Sequence, residues 1–166
     1  MSINKSLLAE MDQESKTTRK ILEKIPTEQL GYKPHEKSYT LGVLGTHIGE
    51  LPSWTDLIIN THELDFTNMH YNPPTINTSE DIMKVFEDTL NKAKEVLENA
   101  ADEKFEGNWR LRNGEQIYFD LPKKVVLRDM VFNHIVHHRA QLGVYLRLLD
   151  IPVPSSYGPT ADEQFK

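Results

Sequence analysis

The chain has 166 residues, 38% hydrophobic and 27% charged, which suits one domain that can bury a core without staples. Its formal net charge of −6 argues against a nucleic-acid partner, whose affinity is built largely on Lys and Arg. Cysteine is absent, which excludes disulfides, thiolate metal ligands and a thiol nucleophile from the chain itself. Any metal must sit on His, Asp or Glu, and any sulfur chemistry must come from a bound small thiol.

The N-terminal MSINKSLLAEMDQESK does not read as a signal peptide, because its short apolar run Leu7–Ala9 is broken by Glu10 and Asp12. No stretch approaches a membrane span, and the expected location is the cytoplasm. From about 3 to 25, Leu7, Leu8, Met11, Thr18, Ile21, Leu22 and Ile25 recur at spacings of three and four, predicting a helix that Pro26 stops. The loop GYKPHEKSYT follows. A second helix starts near Ser38 or Thr40 with the stripe Leu41, Leu44, Ile48, Leu51, Trp54 and Ile58, and Pro52 predicts a kink or a break in the hydrogen-bond ladder inside it.

Residues 61–77 read as a long connection containing Asn72-Pro73-Pro74. A third helix begins at Thr78 or Ser79 and runs to about Ala101, with Ile82, Phe86, Leu90, Ala93, Leu97 and Ala100 on one face. Asn113-Gly114, between two short β-prone runs, predicts a hairpin within 106–121. A fourth helix, about 123–150, is apolar over a wide arc and ends at Pro152 and Pro154, before a polar tail. The fold class is therefore all-α: a soluble four-helix bundle with a small β-hairpin between helices 3 and 4, as one domain over 1–166.

The chemistry points to histidine. His134 and His138 are four apart on the last helix, on one face and one turn apart. In the seam Leu127, Val131, His134, His138, Gln141, Tyr145, Leu148 they interrupt an apolar row. His137 lies beside that row, and choosing His138 over His137 rests on the register. His47, between Leu44 and Leu51, sits on the inward arc of helix 2, where a polar group needs a partner. One core histidine is ordinarily a hydrogen-bonded structural residue. Three on two facing helices are hard to satisfy with neutral partners, and three imidazoles with one open position make a metal site of the catalytic type.

Glu50 is a candidate to orient a ligand or accept a proton, although a solvated helix charge is the plainer reading. Arg139 is a candidate for an anionic substrate group or for pairing with a surface carboxylate, and Gln141 for a hydrogen bond to a ligand histidine. Trp54 and Tyr145 read as core or interface aromatics, and His35, His62 and His70 as solvated loop residues.

Three segments carry a resemblance: SYTLGVLGTHIGEL, HIVHHRAQLGVYLR and the tail IPVPSSYGPTADE. Together they resemble the DinB-like (damage-inducible) metal-binding four-helix bundles, which are similar to the bacillithiol and mycothiol transferases. The resemblance implies a divalent metal on His47, His134 and His138. Three imidazoles accept zinc, nickel, cobalt, copper or iron, and zinc or nickel is the expected ion. The resemblance also implies a homodimer. The expected functions are a transferase conjugating a low-molecular-weight thiol to an electrophile, with Arg139 holding a carboxylate of that thiol, or a hydrolase with Glu50 as proton acceptor. A third is a non-catalytic metal- or ligand-binding stress protein. No membrane partner is expected.

Overall fold

The computed structural model describes residues 2–164. Helix α1 (Ile3–Leu22) buries Leu7, Met11, Thr18, Ile21 and Leu22, the face given by the three-four spacing, and Lys24 and Ile25 close its end as turns before Pro26. Helix α2 (Leu41–Glu50) starts at Thr40, whose hydroxyl accepts from the Val43 N–H. Pro52 cannot continue the α-helical ladder, so Leu51–Ser53 tightens into a 3₁₀ turn and the helix resumes as α3 (Trp54–Asn60).

Glycine lets α2 come close to its neighbours. A Cβ on Gly45 would lie 2.6 Å from Ile25 Cδ1 and 3.1 Å from Ile82 Cδ1. That close fit holds the helix carrying His47 against α4 (Ser79–Asn99). A reciprocal cap opens α4: the Thr78 hydroxyl accepts from the Asp81 N–H, and the Asp81 carboxylate accepts from the Thr78 N–H. Its face Ile82, Phe86, Leu90, Ala93 and Leu97 is buried against α1, α2 and α3.

The hairpin is present as β2 (Asn108–Asn113) and β3 (Gln116–Pro122), with Gly114 at φ +59° in the turn. It is not alone. Glu63–Asp65, expected as loop, forms β1 and pairs parallel to β2, Leu64 opposite Leu111, giving a three-stranded sheet in the order β1-β2-β3. Arg112 binds the carboxylates of Glu63 and Asp65, and the Gly114 N–H donates to Asp65 at 2.9 Å. These long-range ion pairs convert a three-residue segment into a strand. Tyr118 is the extra residue of a bulge in β3, because Leu111 faces Phe119 while Arg112 faces Ile117. The indole N–H of the fully buried Trp109 donates to Thr61 Oγ1, and Lys123 Nζ donates to the Ile59 carbonyl, so the sheet is fastened to the end of α3.

The last helix is also interrupted. It begins as α5 (Lys123–Leu127), passes through a π-helical stretch (Arg128–Asn133) and continues as α6 (His134–Leu148), ending two residues earlier than the expected 150. Leu148, placed in the seam by the simple register, is 56% exposed, and Leu142, Tyr145 and Leu146 occupy the core instead. The four long helical segments, counting α2–α3 and α5–α6 as one each, form the bundle, and no described helix is long and apolar enough to cross a membrane.

Candidate metal centre

Helix α2 presents His47 to the face of α6 that carries His134 and His138. One donor nitrogen from each of the three rings lies within 4.8 Å of the others. Nε2 of His47 is 3.4 Å from Nε2 of His134, and the ring centroids are 4.6 to 5.1 Å apart. Two nitrogens bound at about 2.0–2.1 Å to one tetrahedral ion stand about 3.3 Å apart, so the His47–His134 pair already has a ligand spacing.

The protonation state suits the same role. Burial, followed by the neighbouring His138 and His134, pushes His47 down to about 4. Burial is also the largest cause lowering His134 and His138. All three are therefore neutral near pH 7, with lone pairs available. The pair His138 Nδ1 and Gln141 Oε1, 2.7 Å apart, fixes the tautomer: Nδ1–H donates to the amide oxygen and leaves Nε2 free. His134 Nδ1 is buried and unpartnered among the described residues; the Met130 carbonyl raises the ring's pKa without meeting hydrogen-bond geometry. Converging lone pairs beside an orphaned ring nitrogen are costly in a neutral core and suited to a cation.

His137 is exposed; its ring stands 4.8 Å from that of His138 and outside the three-ring cluster. His35, His62 and His70 are exposed, as expected. Gln141 is itself exposed but reaches back to His138.

Arg139 requires a correction. It does not face the histidines' cavities: it is 4% exposed, turned toward α1, and takes the other expected course of pairing with a carboxylate, here a partly buried one. There it donates to the Glu14 carboxylate at 2.8 Å, to Thr18 Oγ1 and the Glu14 carbonyl at 3.2 Å, and to Tyr157 Oη at 2.7 Å. With its donors so engaged, it cannot hold a cosubstrate carboxylate beside His138.

Three cavities open onto the cluster. One cavity of about 540 Å³ is lined by Tyr39, Val43, His47, Glu50, Tyr71 and Ile76 among others. A second of about 350 Å³ reaches His47 and Glu50 from the side of Trp54, Met69 and Tyr71. A third, about 420 Å³, touches His138 and Gln141 beside Lys37. Trp54, expected in the core or at an interface, is half-buried and forms a wall of the second cavity. Tyr145 is a core residue, as expected, its hydroxyl donating to the Tyr39 carbonyl.

Tyr71 was not singled out from the sequence. Its hydroxyl donates to the Glu50 carboxylate, 2.8 and 2.9 Å from the two oxygens. Burial and this bond raise its pKa to about 12, so it stays a donor. The available signal was its place in a connection longer than compact domains ordinarily use.

A model of the DinB family matches residues 1–164. The chain belongs to the DinB family. A DinB-like protein from Bacillus cereus superposes on this DinB chain with a TM-score of 0.72 at 20% identity, covering 94% of this chain and 98% of the other. One from Bacillus subtilis does so with 0.71 at 20% identity, covering 96% and 99%. At that identity the likeness concerns the fold. No curated protein sequence matches this DinB chain.

Proposed function

We propose that this DinB-family protein binds a divalent metal on His47, His134 and His138 and uses it as an enzyme, transferring a small thiol to an electrophile. The observation that carries the reading is three neutral imidazoles with donor atoms inside a 4.8 Å sphere of one another, next to open cavities. A bound divalent cation supplies Lewis acidity, lowering the pKa of a thiol or water at its open position. The chain's own residues do the rest. Gln141 keeps His138 in the ligating tautomer, and the cavity beside His47 gives a substrate access to the three rings. The zero cysteine count fits a thiol that comes from outside.

Hydrolysis is the second reading, and one observation favours it: Glu50 shares two cavities with His47 and is a proton acceptor of the right kind there. A homodimer in the cytoplasm is the setting we propose for either activity.

Elemental analysis of the purified protein tests the centre. About one zinc, nickel or similar ion per chain is expected, and much less in His138→Ala. Full metal retention by that variant refutes the ligand assignment. Conjugation of a small thiol to a model electrophile, compared with release of product from simple esters, separates the two reactions. Light scattering at micromolar concentration tests the dimer, which a monomer would rule out.

A further inference from the structure

The two cavities that meet at His47 have an unusual charge content. Glu50 is the one acidic side chain in either wall, and neither wall contains Lys or Arg. Glu50 has no salt-bridge partner among the described residues, and its bond is to the neutral Tyr71 hydroxyl. A carboxylate offers about four lone-pair positions, and one phenol O–H occupies one of them. The rest face a cavity whose remaining surface is largely aromatic and aliphatic: Trp54, Tyr71, Met69 and Leu57 on one side, Tyr39 and Val43 on the other.

An uncompensated carboxylate between aromatic walls is the chemistry that recognises an ammonium group, through a charge-assisted bond and cation–π attraction. It repels carboxylates and phosphates. The arginine next to the ligand pair that could have received an anion is committed to Glu14 and Tyr157. The cavities, about 540 and 350 Å³, suit molecules of metabolite size.

We propose that the cavities beside His47 select a small organic cation, its ammonium group held by Glu50 between Trp54 and Tyr71. The orientation of that molecule, with its reacting end toward the three histidines, rests on the metal-centre reading. The cation site itself does not. Under the transferase reading a thiol that enters through these two cavities, rather than past Lys37 on the His138 side, is favoured when it carries an amine rather than a carboxylate.

Two titrations keep these apart. Metal-free protein is titrated with benzylammonium, with its neutral isostere ethylbenzene and with phenylacetate, following the combined fluorescence of Trp54 and its neighbour Trp109. The ammonium probe is expected to bind about tenfold tighter than either of the others, and Glu50→Gln to remove that margin while His138→Ala leaves it in place. Equal binding of the three probes, or an unchanged margin in a folded Glu50→Gln protein, overturns the proposal. Cobalt(II)-loaded protein is then titrated with cysteamine, 2-mercaptoethanol and 3-mercaptopropionate, following the thiolate-to-cobalt absorption band. Cysteamine is expected to half-saturate at the lowest concentration. Identical half-saturation for all three overturns selection at the centre. No band with any thiol, beside intact ammonium binding, refutes thiol binding at the centre and leaves the cation site standing.

Discussion

Two polar clusters enter the core from adjacent positions of α6, and they are built on opposite principles. Arg139 turns toward α1 and finds a carboxylate, a carbonyl and two hydroxyls. His138 turns toward α2 and finds two more imidazoles and one amide. The first cluster is chemically complete: a charge, its counter-charge and neutral acceptors. The second gathers like donors with no counter-group and leaves a buried ring nitrogen unpartnered. A closed polar network holds structure, whereas an open one made of potential ligands marks where something else is to bind.

The comparison breaks first if Arg139 proves dispensable. Arg139→Met leaves the partly buried Glu14 without its counter-charge and is expected to cost about 2–4 kcal/mol in urea unfolding while leaving metal content per folded chain unchanged. A neutral effect on stability would mean the network is ornamental. Next comes the metal. Zinc or nickel in about thousand-fold excess over its dissociation constant is expected to add about 4 kcal/mol, read as a rise in melting temperature. His138→Ala should abolish that rise, and a rise that survives would place the ion elsewhere. Gln141→Leu is expected to weaken metal binding about 10- to 100-fold in competition with a chelating dye, by freeing the His138 tautomer. Unchanged affinity would show that Gln141 does not orient the ring.

The smallest effect is on pH dependence. His47 falls from 6.5 to about 4 in the folded protein, so the unfolded chain binds more protons between those values. Stability of the metal-free protein is expected to be fully present above pH 6.5 and to decline as pH falls toward 4. His47→Leu should flatten this slope and Arg139→Met should preserve it, as chemical denaturation at several pH values would show.

Much of this arrangement was legible in the residue order, because the determining interactions are local or periodic. The three-four spacing located the helices, Pro52 the kink, Asn113-Gly114 the hairpin, and the positions of His47, His134 and His138 within apolar stripes their convergence. What escaped depends on distant partners. Strand β1 has three residues and exists because Arg112 and Gly114 reach across to it. The sequence leaves the partner of Arg139 open because Glu14 and Tyr157 are 125 residues before it and 18 after it in the chain. Glu50 was read as a solvated charge because nothing near it in sequence reveals Tyr71. Leu148 was misplaced by extending one register through the end of a helix whose core residues are Leu142, Tyr145 and Leu146.

The π-helical stretch at Arg128–Asn133 has a consequence for how such a protein can change. Upstream of it, Val126 and Leu127 are sunk in the core where α5 meets α3 and the sheet; downstream, α6 must aim two imidazoles at α2. One surplus residue reconciles the two obligations, as a shim does between misaligned parts. Excising a single residue there would restore an uninterrupted helix and swing one half by about 100° relative to the other. Point substitutions can therefore accumulate along this helix far more readily than deletions, and a relative lacking the surplus residue would have to place its ligands at other positions.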